Sequence, residues 1–343
     1  MTPRRLFIAM ALLTVPLQGF GFGSDQVGTS GAEFLKIGPG ARPAGMGGAF
    51  TGVADDIHAI YWNPAGLGTL KTPEITGMHM QYFQSIQYEF AAFAYPTGEH
   101  GTWGFAVTNL HTDNIDRRTD DTDTAINQFG ASDNAYWLSY GYALTPRLSL
   151  GANAKYIHQT LDSIDSNAYA GDGGILYDAD WHDLRLGASV LNLGSKVKFV
   201  KESDPLPLTY RMGGSMPFLS RSLLLSSDLV VPRDHQVELD FGSEYKRPLM
   251  RGVAASMRAG YQTANDVTGF SGVSFGGGLE VGRAAFDFAW VPFGDLGNTY
   301  RFSLHVKFGQ PDEKNLTDVP RAPQKQANAA AGGDASLEQL LSL

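Results

Sequence analysis

The chain has 343 residues, including 41 glycines, 20 phenylalanines, 14 tyrosines and 5 tryptophans, and only 18% are charged. A net charge of -9 speaks against a general nucleic-acid binder, and zero cysteines exclude disulfides, thiolate metal sites, a cysteine nucleophile and an acylated lipoprotein cysteine. An apolar content of 43% excludes a disordered chain, and glycine with aromatics, without long helix-period segments, indicates a β protein.

Residues 1–23 read as a signal peptide. Arg4 and Arg5 precede the apolar run Leu6–Leu17, and Gly19, Gly21 and Gly23 supply small residues for cleavage. Pro16 and Gln18 interrupt that run before it reaches the roughly 18 residues of a membrane helix. No later segment approaches such a length, so any further crossing of a membrane must use strands.

Residues 24–73 are glycine-rich and irregular, with GPGARPAGMGGAF at their centre. Near their end, AIYWNPAGLGTL offers Asn63 as a helix N-cap and Pro64 at the first helical position, so a short helical turn is expected there.

From Glu74 the period changes to two. Val237, Leu239, Phe241 and Tyr245 alternate with Glu238, Asp240, Gly242 and Glu244. Tyr300, Phe302, Leu304 and Val306 alternate with Arg301, Ser303, His305 and Lys307. Candidate strands cover 74–83, 88–96, 102–111, 134–145, 147–160, 167–179, 184–193, 207–216, 222–231, 236–247, 253–263, 271–281, 283–292 and 299–308. Each is about as long as a tilted membrane-spanning strand, and their number is even. Short turn-rich links alternate with a set that includes the long stretches 112–133 and 194–206, matching short periplasmic turns and longer outer loops. The expected fold is all-β: a transmembrane outer-membrane β-barrel of about 14 antiparallel strands over 74–308. A soluble sandwich or propeller shares the alternation but has no need of the export signal or the loop asymmetry. Residues 309–343, rich in Ala, Gln, Asn and Pro, read as a flexible periplasmic tail.

Catalysis is not indicated. Gly272-Val273-Ser274-Phe275-Gly276 matches G-x-S-x-G, but inside a strand pattern rather than at a strand–turn–helix elbow. The eight histidines are scattered, and no phosphate-cradling glycine motif appears. Asp113, Asp116, Asp120, Asp121 and Asp123 crowd one outer loop without EF-hand spacing and read as a solvated acidic loop. No metal and no cofactor are expected. Strand parity turns Lys155, Asp172, Arg185, Arg211, Glu238, Asp240, Glu244, Arg258 and Asp287 toward the lumen, where charges pair with one another or with whatever fills the barrel. In the outer loops, Phe129 and Phe199 are the candidate contact aromatics.

FLKIGPGARPAGMGGAFTGVADDIHAIYWNPAGLGTL resembles the amino-terminal signature of the PorV/PorQ family of outer-membrane proteins, a branch of the FadL-like (OmpP1/FadL) barrel superfamily. YAGDGGILYDADWHDLRLGASVLNLGSKVKF and GSEYKRPLMRGVAASMRAGYQT are similar to later segments of that family, so the likeness runs over about residues 31–308. It implies that 24–73 form an amino-terminal hatch or plug inside the lumen, with Asn63, Pro64, Ala65 and Gly66 as its motif. A barrel of roughly fourteen strands is too wide for its own side chains to fill, which agrees with that role.

Two functions follow from the resemblance. The first is a binding and scaffold protein of type IX secretion, in cargo shuttling or surface attachment, with secretion-system proteins and cargo carboxy-terminal domains as partners. The alternative is a FadL-like transporter of long-chain fatty acids or other hydrophobic solutes, through an apolar pocket and a lateral opening in the wall. Either places the protein among the lipids of the outer membrane of a Gram-negative-type bacterium, with no nucleic-acid partner.

Overall fold

The structure, a computed structural model, describes residues 28–82, 85–121, 123–263 and 271–309. The signal peptide, residues 24–27 and the tail from 310 lie outside the described residues.

Fourteen strands form a closed antiparallel barrel. In chain order they are β1 (Glu74–Gln81), β2 (Gln87–Pro96), β3 (Thr102–Arg117), β4 (Asn127–Thr145), β5 (Leu148–Leu161), β6 (Ile164–Asp178) and β7 (Arg185–Gly194). A small ribbon of β8 (Lys196–Val197) and β9 (Asp204–Pro205) follows. The wall then continues through β10 (Thr209–Phe218), β11 (Leu223–Pro232), β12 (Glu238–Met250), β13 (Val253–Gln262), β14 (Val273–Val281), β15 (Ala284–Pro292) and β16 (Asn298–Lys307). β16 returns to β1, with Ile75 opposite Val306 and His79 opposite Phe302. Closure leaves no open sheet edge in the wall, the condition for placing strands in lipid.

Alternation decides which face each side chain takes. Phe93, Tyr95, Trp103, Phe105, Leu138 and Phe302 stand exposed on the outer surface, whereas Ser139, Asn153, Asp228, Asp240 and Ser303 from the opposite face are buried. A soluble sheet has the reverse preference, so this surface suits hydrocarbon. Aromatic clusters border it at both ends. Tyr136, Tyr156 and Tyr169 stack across β4–β6 with centroids 6.1 and 5.4 Å apart, and Trp103 meets Tyr140 at 4.9 Å nearer the short turns.

The outer loops differ from the sequence expectation. The stretch 112–133 is mostly strand: β3 and β4 remain paired to Arg117 and Asn127, leaving only 118–126 as a connection. β3 pairs with β2 only as far as His111, and β4 with β5 only as far as Ala131. Beyond those points the two strands form a free-standing arm. Its backbone hydrogen bonds persist although both faces meet water, so the apolar–polar alternation disappears while the strand does not. Phe129 therefore belongs to β4 rather than to a loop, paired with Ile115 and covered by the Arg117 guanidinium at 5.3 Å. The stretch 194–206 carries β8–β9, and Phe199 lies exposed between those two strands.

Residues 31–70 lie against the inner faces of strands on all sides of the barrel. Short helices α1 (Ala41–Gly45) and α2 (Ala59–Trp62), and 3-10 turns at Glu33–Lys36 and Pro64–Thr69, are its only regular structure. Close backbone approach takes the place of long elements. After α1, Gly47 and Gly48 have φ of 62° and 75°, and a Cβ on Gly47 would stand 2.7 Å from the Tyr261 nitrogen of β13.

Candidate functional site

The internal segment and the wall around it form the candidate site. Asn63 is fully buried and uses both ends of its amide. Its Oδ1 accepts from the Ala65 nitrogen at 3.2 Å and caps the turn that Pro64 begins. Its Nδ2 donates to the Thr51 carbonyl and to the Ile175 carbonyl of β6, each at 3.0 Å. The wall opposite is glycine: a Cβ on Gly174 would fall 2.1 Å from Asn63 Oδ1, and one on Gly151 would fall 2.1 Å from the Pro64 carbonyl carbon. Gly66 is equally constrained, since its Cβ would meet the Ala54 oxygen at 2.0 Å. Asn63, Pro64, Ala65 and Gly66 thus form a docking turn built on missing side chains in the wall.

Charge holds the other side of the segment. Arg211 on β10 donates to the Gly48 carbonyl at 2.7 Å and to Asp240 at 2.9 Å, and lies 5.0 Å over the Trp62 ring. Asp228 on β11 accepts from the Phe50 and Thr51 nitrogens at 3.1 and 2.9 Å, fixing an otherwise orphaned loop backbone. Arg42, from α1, grips Glu244 on β12 with two bonds of 2.9 Å and Asp56 with one of 2.7 Å. Glu244 also receives Arg258 at 2.6 Å, and Arg258 reaches Asp287 at 2.7 Å. Lys155 pairs with Asp172 at 2.8 Å and Asn192 at 2.6 Å, while Arg185 donates to Asp178 and to the Val53 carbonyl, both at 2.7 Å. Glu238 is half-buried at the first position of β12. These nine charges do not converge on one centre; they ring the segment.

Several participants were not singled out in the sequence. Asp228 and Arg301 stand at inward positions of readable strands, so parity was a usable signal. Arg42, Asp56 and His58 come from the irregular segment, which has no period to read. His58 Nδ1 bonds Asp56 at 2.9 Å, and His305 Nε2 bonds Glu74 at 2.9 Å, with the two imidazoles 6.1 Å apart. Burial alone would raise the Asp56 carboxyl, but the neighbouring His58 and Arg42 hold it well below the usual carboxylate range. A polar cavity of about 1410 Å³ opens below this network at the short-turn end, bordered by Arg42, Asp55, Glu244, Lys246 and Lys307. Among the described residues no cluster of His, Asp and Glu is arranged to hold a metal ion.

Against β1–β5 the segment meets a largely apolar wall, with Glu74 and Asn153 as polar contacts. Phe34, Leu35, Ile60 and Tyr61 join Met78, Met80, Tyr88, Phe90, Trp137 and Ile157 in one buried cluster. On the lipid side of the same strands, a recess of about 510 Å³ opens over Gly77, Ala91 and Val107 between Phe286, Phe302 and Leu304. Met78 and Phe90 border both the recess and the internal cluster, so the wall separating them is one residue thick.

The sequence pattern of an uncharacterised protein family (UPF0164) matches residues 21–167, from the internal segment to early β6. No curated protein matches the chain. Among solved structures, the CymD monoaromatic hydrocarbon channel superposes with a TM-score of 0.55 at 13% identity, covering 80% of this chain and 98% of that one. The Pseudomonas putida toluene transporter TodX gives 0.53 at 11% identity, covering 80% of this chain and 99% of that one. At such identity the likeness establishes a shared barrel fold. The PorV/PorQ likeness rests on the sequence segments quoted above.

Proposed function

We propose that the protein is an outer-membrane channel for small hydrophobic molecules, with residues 31–73 acting as an internal plug. The observation that carries this reading is the two-sided lumen. Charged side chains clasp the plug along β7 and β10–β16, whereas along β1–β5 most of its contact is with apolar side chains, the polar exceptions including Glu74, which accepts from the Ile57 nitrogen, Tyr88, which donates to the Ile37 carbonyl, and Asn153, which donates to the Ile60 carbonyl. Apolar contact is non-directional and unspecific, so an apolar solute can replace it without leaving a buried polar group unpaired. The recess over Gly77 and Ala91 continues that seam toward the bilayer and supports lateral delivery through the β1–β2 wall. The fold shared with two hydrocarbon channels agrees with this class of solute.

Uptake tests the reading. Cells lacking the protein should take up radiolabelled toluene or dodecanoate more slowly than complemented cells, and Ala91→Trp, which fills the recess, should slow uptake without lowering the amount of folded barrel. Equal uptake with and without the protein, for both probes, would refute the channel.

The second reading, a docking partner in type IX secretion, draws on the PorV/PorQ likeness and on the β3–β4 arm, whose two outer edges run past their last ladder pairs at His111 and Ala131, with Gly130 held once more by the Asp162 nitrogen. Purification from the native membrane in mild detergent separates the two. Secretion proteins or cargo tail domains that co-purify only while the arm is intact support docking; a barrel free of them supports the channel.

A further inference from the structure

The outward face of β1–β6 is not uniformly apolar. One cross-strand rung runs through His79, Glu89, Asn109, Asn134, His158 and Asn167, each directly opposite the next in the ladder. The same rung continues on β16 and β15 as Phe302 and Phe288, so the polarity is confined to one sector of the wall. From β3 to β6 the stripe satisfies itself. Asn109 Nδ2 donates to Asn134 at 2.8 Å, and Asn167 Oδ1 meets the His158 ring at 2.8 Å and accepts from the Tyr156 hydroxyl at 2.7 Å. At the other end His79 Nδ1 and Glu89 Oε1 stand 2.6 Å apart, with 46% and 42% of the two side chains exposed. Among the described residues no further hydrogen bond reaches either group.

Barrel strands are tilted, so a rung slants through the membrane. On β4–β6 it runs beside the outer tyrosine cluster of Tyr136, Tyr156 and Tyr169. On β1–β3 it lies lower. From Trp103, in the aromatic pair nearer the short turns, up to Asn109, the tilted β3 climbs about 15 Å. The span from Tyr95 up to Glu89 on β2 is the same. The apolar band of such a barrel is about 25 Å tall, so His79 and Glu89 face hydrocarbon rather than head groups. An imidazole and a carboxyl set there call for a polar partner at the same depth, which lipid tails cannot supply.

Symmetry identifies that partner. Two copies inserted with the same sidedness form a closed pair about a two-fold axis along the membrane normal. An axis between β1 and β2 exchanges the members of a side-by-side pair, so the His79 of each copy faces the Glu89 of the other. The bond within one copy uses His79 Nδ1 and Glu89 Oε1, which leaves Nε2 and Oε2 to close a ring of four side chains. We propose that the β1–β2 face is an interface between two copies of this chain, registered by His79 and Glu89. Gly77 and Ala91, the next outward rung, border the recess of about 510 Å³, so the two recesses face each other across the axis. The inference does not depend on the channel reading; on that reading, a solute leaving through the β1–β2 wall enters the space between the copies.

The chain has no cysteine of its own, so a single introduced one cannot cross-link within a copy. The test uses the full chain in intact native outer membranes, a short bis-methanethiosulfonate linker, and mass spectrometry of the product. Ala91→Cys should give a cross-linked pair made of this chain alone. Met212→Cys, outward on β10 across the barrel, should give none. In the Ala91→Cys background, His79→Glu or Glu89→His sets like groups against each other across the axis, and each should cut the cross-linked fraction about 10-fold. Co-expressing the two should restore it. Neither keeps the pair within its own copy, so the recovery can come only from contact between copies. Heat-modifiable migration in gels verifies that each variant is a folded barrel. Ala91→Cys remaining single, or cross-linking no more than Met212→Cys, overturns the proposal without any change to the pair. A product containing a different protein overturns the second copy as occupant, and a mixture that cross-links no better than either variant alone overturns the role of His79 and Glu89.

Discussion

Asn63 Nδ2 donates to the Ile175 carbonyl at 3.0 Å, joining the tip of the internal docking turn to the backbone of β6. The same amide also holds Thr51 and caps Pro64–Thr69, so one side chain joins three pieces of backbone. Asn63→Ala should strand the buried Thr51 carbonyl and Ala65 N–H, with a local cost of about 1–3 kcal/mol. Hydrogen exchange of residues 50–70 should accelerate correspondingly while the β-ladder stays protected. Uniform acceleration across the barrel would contradict a local role.

Gly151 and Gly77 predict opposite outcomes for the same change. A Cβ on Gly151 would enter the Pro64–Ala65 backbone, whereas none of the described atoms lies within 4 Å of a Cβ on Gly77. Gly151→Ala should displace the docking turn and raise single-channel conductance in planar bilayers. Gly77→Ala should leave conductance at the level of the unaltered protein.

Arg42 is the most heavily engaged residue of the clasp. Arg42→Met leaves Asp56 and Glu244 buried with fewer counter-charges, at a cost of roughly 3–5 kcal/mol. Protease accessibility of residues 31–73 in the folded barrel should rise. Adding Glu244→Gln should recover part of the loss, because the second change removes one stranded charge; simple additivity would show that the two residues act independently.

Glu33 makes the outer attachment of the segment pH-dependent. Partial burial beside the Asp234 carboxylate, opposed by the Lys36 ammonium at 2.5 Å, raises its carboxyl from 4.5 to about 7, although 49% of the side chain remains open to water. Between those values the docked state binds its proton more tightly than the released state, so docking weakens as pH rises from about 4.5 through 7. Asp234 is shifted downward from 3.8, so its opposing effect falls below this window. Intrinsic-rate-corrected exchange of amides 30–37 should be slower at pH 5 than at pH 8, and Glu33→Gln should remove the difference.

The wall was legible because lipid and lumen impose opposite demands on alternate residues, and the strands expected for β10–β16 lie within three residues of their observed limits. The β3–β4 arm escaped because water on both faces removes the contrast that periodicity reports. In the internal segment Asn63 announced its own cap, a relation confined to neighbours in sequence. Its bond to Ile175 left no local trace. Arg301 was visible as part of a polar strand face, but its bond to the Gly38 carbonyl is a property of three-dimensional neighbourhood that no spacing encodes.

The hydrogen bonds from Ala41 to Ser303 and from Arg301 to Gly38 span 262 and 263 positions of chain. A segment near the amino-terminal end of the described chain therefore finds its partners on the final strand of the wall. The same β16 closes the ring against β1, so one strand both completes the wall and holds the internal segment. Contacts of such range carry a large loop-closure entropy and make assembly slow.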